Sequence, residues 1–141
     1  MPNILVAVDG SKNAMRAIDY AVQHFGSAPV TLHLLTVEPP LDDYGMVRAY
    51  LPKREHVKAM RARAQGLLEQ AARRARGENI TCTTHVAIGD VAGCIVDTAR
   101  RLKCSAIVMG TRGMGPLKGL ILGSVASKVL HLAHVPVTLV K

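Results

Sequence analysis

The stretch Cys104–Ser127 reads CSAIVMGTRGMGPLKGLILGSVAS. Its first part, Ala106-Ile107-Val108-Met109, is apolar at every position. An apolar run that does not alternate predicts a strand buried on both faces. The strand should end at Gly110, and Gly113, Gly115 and Gly119 follow before Gly123-Ser124. Beyond Ser124 the pattern turns helical, with Val125, Val129 and Leu132 near a 3.6-residue period and Ser124 placed to cap the helix. Strand, glycine-rich loop and capped helix start form the geometry in which backbone N–H groups and a helix N-terminus converge on an anion. The spacing departs from two common phosphate motifs. In the Walker A pattern a Lys-Ser/Thr pair should follow the second glycine, but Gly115 is followed by Pro116. In the dinucleotide pattern, Gly113 and Gly115 call for a third glycine where Lys118 stands, and Gly119 comes one residue late.

Working outward, Asn3 to Val8 predicts a first buried strand that ends at Asp9-Gly10-Ser11. Ser11 can cap a helix carrying Ala14, Ala17, Ile18, Ala21, Val22 and Phe25 on one face, with Gly26 to stop it. Val30 to Val37 predicts a second strand, closed by Glu38-Pro39-Pro40. Leu41 to Pro52 has no clear period. A basic helix is expected from about Lys53 to Arg76, with Val57, Met60, Ala64, Leu67, Ala71 and Ala75 as its apolar stripe and Gly77 at its end. Ile80 to Ile88 predicts a third strand. Asp90 then caps a helix with Val91, Cys94, Ile95, Thr98, Ala99 and Leu102 on one face, and Val135 to Val140 is the last strand. Strands separated by helices, with no hairpin turn between them, imply right-handed βαβ crossovers. The fold class is therefore α/β, one doubly wound domain over residues 1–141 with helices on both faces of a five-stranded parallel sheet.

The 141 residues are 49% hydrophobic and 20% charged, which suits a globular chain with a substantial core. Aromatic residues make up only 3%, which argues against base-stacking modes of nucleic-acid binding. The apolar run Ile4–Val8 is far short of the roughly 20 residues of a membrane span. Met1-Pro2-Asn3 carries no basic region ahead of an apolar core, so no secretory signal is expected. Cys82, Cys94 and Cys104 are odd in number and form no C-x-x-C pair, as expected for reduced packing thiols in the cytoplasm. The formal net charge is +8. Between Lys53 and Arg76, Lys53, Arg54, Lys58, Arg61, Arg63, Arg73, Arg74 and Arg76 face only Glu55 and Glu69. Such a run is either a patch for anionic partners or the solvated side of an amphipathic helix. His131 and His134 lack a neighbouring Cys or carboxylate in sequence, so no metal site is expected there.

What stands in the opening stretch is Gly110-x2-Gly113-x9-Gly123-Ser124. It resembles the ATP-binding signature of the universal stress protein family. The resemblance extends to VAVDGS at Val6–Ser11, V-x-P at Val37–Pro39, IVMGTRG at Ile107–Gly113 and HVPV at His134–Val137. It implies an adenine-nucleotide α-hydrolase-like fold with strand order 3-2-1-4-5, which sets strands one and four side by side. In such sheets ligands bind beyond the carboxyl ends of the strands where the order reverses.

The resemblance also implies a binding set of Ala7, Asp9, Val37, Met109, Gly110, Arg112, Gly113, Gly123, Ser124 and Val125. Val37 would contact adenine through its main chain and Met109 would help line the base and ribose pocket. Gly110, Gly113, Gly123, Ser124 and Val125 would surround ribose and phosphates. Physically, Gly110 and Gly113 either admit phosphate oxygens that a Cβ would keep away or serve turn geometry. Ser124 offers a hydroxyl and an N–H to phosphate, and also caps its helix. Asp9 orients a ribose hydroxyl, helps hold Mg²⁺ with bound phosphates, or is a turn residue. Arg112 and Lys118 either neutralise phosphate or are merely solvated.

The expected function is that of an ATP-binding protein, with AMP or ADP as other ligands and Mg²⁺ beside the phosphates, acting in the stress response through contacts with an unknown protein partner. A slow ATP hydrolase or phosphotransfer protein is one alternative, although no base to activate water is evident and no G-x-S-x-G elbow occurs. A nucleotide-independent module using the basic helix is another. A homodimer paired through Val135–Val140 is also implied by the resemblance.

Overall fold

The computed structural model describes residues 1–40, 53–112 and 122–141. Strands β1 (Asn3–Ala7), β2 (Val30–Glu38), β3 (Ile80–Ile88), β4 (Ala106–Gly110) and β5 (Val137–Val140) alternate with helices α1 (Lys12–Phe25), α2 (Lys53–Arg74), α3 (Val91–Arg101) and α4 (Ser124–Leu132). The strands form one sheet in the order β3-β2-β1-β4-β5, and every neighbouring pair is parallel. Order reverses between β1 and β4, as expected. Leu41–Pro52 lies outside the described residues.

Two cores flank the sheet because successive side chains of a strand point to opposite faces. Ile4 and Val6 of β1 pack with Leu32, Leu34 and Val108 against Ala17, Ile18 and Ala21 of α1 and Leu68 and Ala71 of α2. Leu5 packs with Leu35, Ile107 and Met109 against Ile95, Val96 and Ala99 of α3 and Ala126 and Val129 of α4. Each fully buried aliphatic side chain contributes about 1.5–3 kcal/mol, so the unbroken apolar runs of β1 and β4 are the expected signature of a sheet covered on both sides.

Local chemistry sets the element ends. Ser11 Oγ accepts the N–H of Ala14 at 3.1 Å and caps α1, and Asp90 Oδ2 accepts the N–H of Gly93 at 2.9 Å and caps α3. Helix α4 departs from expectation. Gly123, in extended conformation, is its N-cap residue with no side-chain cap, and Ser124 is already the first helical residue. The serine hydroxyl therefore does not close this helix. Strand β5 starts at Val137, two residues later than expected. Pro136 has no N–H for the ladder and only its carbonyl takes part, accepting from Ile107 N at 2.9 Å.

On α2 the buried stripe is His56, Met60, Ala64, Leu68, Ala71 and Ala75. Leu68 occupies the core in place of the expected Leu67, whose Cδ2 instead lies 3.0 Å from where a Cβ on Gly10 would sit. Two of the helix's cations are committed. Arg63 pairs with the buried Glu38 of β2, and Arg74 forks onto Asp19 of α1 with two contacts of 2.7 Å. The guanidinium holds the Asp19 carboxyl below its usual range, first through hydrogen bonding.

A polar network joins β1, β2 and β3, from the start of β1 to the middle of β3. Nδ1 of the buried His33 lies 3.0 Å from both Thr83 Oγ1 and His85 Nε2, and its Nε2 lies 3.2 Å from Asn3 Oδ1. Asn3 Nδ2 donates to Leu102 O at 3.2 Å. Neutral His33 donates from Nε2–H to Asn3 Oδ1, and the single lone pair on its Nδ1 is shared by the Thr83 hydroxyl and His85 Nε2–H. Burial pushes the pKa of His33 down. For His85 burial acts first, then His33 and Arg101, in the same direction.

Candidate functional site

Strands β1 and β4 are adjacent, so the turns that leave their carboxyl ends open onto the same crevice. After β1 the chain turns through Asp9, Gly10 and Ser11, with Gly10 at φ +85° and Asp9 Oδ1 accepting the N–H of Ser11 at 2.9 Å. A left-handed residue at this turn favours glycine. After β4 the chain passes Thr111 and Arg112 and returns at Gly123 to start α4.

Gly110 and Gly123 have identifiable reasons to lack a side chain. A Cβ on Gly110 would lie 2.7 Å from Asn13 Cβ and 3.1 Å from the Asn13 carbonyl carbon, so the glycine lets α1 pack against the end of β4. A Cβ on Gly123 would sit 3.2 Å from Thr111 O and 3.4 Å from Arg112 Cα. This glycine lets the returning chain run close against the end of β4, where Gly123 N donates to Thr111 O at 2.6 Å. Thr111 joins the parts. Its N–H donates to Val140 O at 2.9 Å, and its Oγ1 accepts from Asn13 Nδ2 at 3.3 Å.

These turns enclose a cleft with a cavity volume of about 290 Å³. Ala7, Leu35, Val37, Val91, Ile95 and Met109 supply its apolar lining, and Asp9, Ser11, Arg112, Gly123 and Ser124 its polar one. Of the residues singled out in the sequence, Ala7, Asp9, Val37, Met109, Gly110, Arg112, Gly123, Ser124 and Val125 all line it. Gly113 lies outside the described residues, as does Lys118. Leu35, Ile95 and Thr111 also line the cleft and were not singled out. Thr111 could have been found inside the GTRG run, whereas Leu35 and Ile95 come from elements that only the fold brings together.

The arrangement suits a ligand with an apolar, flat part and an anionic part. The apolar lining offers contact area, while the start of α4 offers N–H groups that no side chain caps. Arg112 and Ser124 are exposed at that end. Asp9 is the one carboxylate among the described lining residues, and no His or Cys joins it there. Lys128, in the middle of α4, places its Nζ 2.9 Å from Oδ2 of Asp90, the N-cap of α3. That lysine, ahead of the Gly93 N–H, keeps the Asp90 carboxyl below its usual range.

A family model described as the universal stress protein family matches residues 1–141. The chain belongs to this family. Among curated relatives, the universal stress protein YxiE of Bacillus subtilis is 31% identical over 98% of this chain and 97% of its own length. Among solved structures, a universal stress protein in complex with cAMP is 27% identical, covers 99% of this chain and 97% of its own, and superposes with a TM-score of 0.73. The universal stress protein of Archaeoglobus fulgidus in complex with dAMP, at 24% identity, covers 100% of this chain and 98% of its own with a TM-score of 0.69. That second likeness speaks for the fold. The five-stranded order of this chain is thus the universal stress protein architecture, and no helix among the described residues is long and apolar enough to cross a membrane.

Proposed function

We propose that this universal stress protein binds an adenine nucleotide, ATP in the working state, in the cleft between β1, β4 and α4. The observation that carries the reading is the joint presence of an apolar lining and an uncapped helix start in one crevice at the reversal of strand order. A relative of this family bound to cAMP supports adenine as the base. In this reading the Val37 main chain and the Met109 side chain hold the base. Gly110, Gly123, Ser124 and Val125, with Arg112 beside them, hold ribose and phosphates, and Gly113 completes the set from the sequence signature. Ala7 forms part of the lining beneath them.

Mg²⁺ fits the donor set. It keeps several waters and is bound through one or two carboxylates plus phosphate oxygens, and Asp9 supplies one carboxylate at the rim. The ion would neutralise phosphate charge there. No residue pair suited to general acid–base work lines the described cleft, so the protein is read as a nucleotide-dependent regulator in the cytoplasmic stress response rather than a dedicated enzyme. Its output would be contact with a protein partner that depends on the bound nucleotide.

Strand β5 ends the sheet on one side with all four residues half-buried. Pairing with the same strand of a second copy would cover that edge, so a homodimer through this segment is part of the proposal. Light scattering at micromolar concentration should give the dimer mass.

The test of the nucleotide reading is calorimetric titration with Mg-ATP of the protein and of Gly123→Val and Arg112→Ala. Saturable binding that Gly123→Val loses and Arg112→Ala weakens supports it. Equal binding by all three, or none by the folded parent protein, overturns it.

A further inference from the structure

The sheet has a second edge that the nucleotide reading leaves unused. Strand β3 pairs with β2 along its whole length, from Val30↔Ile80 to Glu38↔Ile88. Val30 N donates to Asn79 O and Gly89 N donates to Glu38 O, so the odd-numbered residues of β3 turn their peptide groups toward β2. In a parallel ladder the alternate residues must then turn theirs outward. Those residues are Cys82, Thr84, Val86 and Ile88, after Ile80, whose N–H is used by Gly77 O. Among the described residues, nothing pairs with the outward groups of Thr84, Val86 and Ile88. Val86 is 41% exposed and Ile88 46%, among the few large apolar residues at the surface.

Natural sheets guard such edges with charge, proline, bulges or shortness. Strand β3, ITCTTHVAI, is nine residues long and holds no proline, lysine, arginine or carboxylate. The guards are absent, and the charge lies beside the edge instead. Cys82 Sγ donates to Ala75 O at 3.7 Å just past the end of α2, while Arg63 and Arg74 turn the other way, to Glu38 of β2 and Asp19 of α1. Together these identify the flank of α2 that is turned toward β3. At about 100° per residue, Arg54, Lys58 and Arg61 share that flank, with Glu69 the acidic residue nearest to it. All three cations are exposed. On the other face, Arg101 of α3 is near enough to act on the charge of His85 of β3.

We propose that the β3 edge is a docking site for an extended acidic segment of a partner protein, which adds to the sheet as a further strand. Main-chain hydrogen bonds to Thr84, Val86 and Ile88 supply affinity, and alternate apolar side chains of the segment cover Val86 and Ile88. Carboxylates on the same face of the segment, before and after that apolar pair, meet Arg54, Lys58 and Arg61. A second copy of this chain is a poor occupant, because two-fold pairing across β3 would bring the same basic flanks together. The proposal does not depend on the nucleotide cleft.

The test uses the whole protein, ¹⁵N-labelled, titrated with a capped heptapeptide Glu-Thr-Val-Thr-Val-Thr-Glu, which sets two valines and two flanking glutamates on one face. The same heptapeptide with lysine for glutamate and a short single-stranded oligonucleotide are titrated in parallel. The expected result is saturable shifts of the Thr84, Val86 and Ile88 amides with the glutamate peptide alone, weakened by salt. Val86→Glu, at an exposed position, and the charge reversal Lys58→Glu/Arg61→Glu should each weaken binding by about tenfold or more, with Mg-ATP binding unchanged. Equal response to both peptides, no shift on β3, or preference for the oligonucleotide overturns the proposal. So does a doubling of mass that Val86→Glu abolishes, which would make the occupant a second copy.

Discussion

Two regions of the sheet treat their polar groups in opposite ways. Across β1, β2 and β3, Asn3, His33, Thr83 and His85 spend their side-chain donors and acceptors on one another and on Leu102 O. At the carboxyl-terminal end, α4 begins without a side-chain cap, and Arg112 and Ser124 stand exposed at the cleft. Buried polar groups that are fully paired specify a structure. Groups left available in a concave, partly apolar site are the ones a ligand can use. The difference separates a structural network from a binding site without appeal to the ligand.

The contrast can be broken most forcefully at Gly110. Gly110→Val places a side chain 2.7 Å from Asn13 Cβ at its first atom alone. We expect a loss of about 1–3 kcal/mol, as for overpacked cores, read as a lowered urea midpoint together with lost nucleotide binding. His33→Leu attacks the network. It removes hydrogen bonds to Asn3, Thr83 and His85, none of which is itself buried, at a cost of about 0.5–1.5 kcal/mol per bond, and should leave nucleotide affinity unchanged.

The same network predicts a pH dependence. Burial lowers the pKa of both His33 and His85 in the folded state, so below the unfolded value of about 6.5 the unfolded chain binds more protons than the folded one. Stability is therefore fully present above that value and is lost as pH falls through it toward the lowered folded values. Thermal melts between neutral and mildly acidic pH should show the decline, and His33→Leu should flatten it.

The smallest pair of effects sharpens the comparison of two serines. Ser11 caps α1, and Ser11→Ala should cost about 1 kcal/mol. Ser124 is exposed and caps nothing, so Ser124→Ala should change stability by no more than about 0.5 kcal/mol while weakening Mg-ATP. Denaturant unfolding and calorimetry on both variants check the pair.

The elements were legible because each carries a local signal. The unbroken apolar runs of β1 and β4, the caps Ser11 and Asp90, and the partial alternation of Ile80–Ile88 need no tertiary information. Details that depend on neighbours were not. Leu67 and Leu68 are equivalent on a helical pattern, and only the docking of α2 puts Leu68 in the core and Leu67 beside Gly10. Ser124 looked like a cap by residue type, yet the close run of Gly123 past Thr111 starts the helix one residue later than a serine cap requires. The cleft was legible where it is made by consecutive residues at strand ends. Leu35 and Ile95 escaped because parallel pairing and helix packing bring them there from distant parts of the chain. For Gly110 the sequence leaves open a phosphate approach or turn geometry; the residue lines the cleft, and packing adds a close approach to Asn13 of α1.

The most direct test of the central contrast is to titrate the ¹⁵N-labelled protein with Mg-ATP and follow the amides of both regions together. The account predicts saturable shifts at Asp9, Gly110, Arg112, Gly123, Ser124 and Val125, with Asn3, His33, Thr83 and His85 unmoved. Shifts centred on the histidine network, or none anywhere in the folded protein, would contradict it.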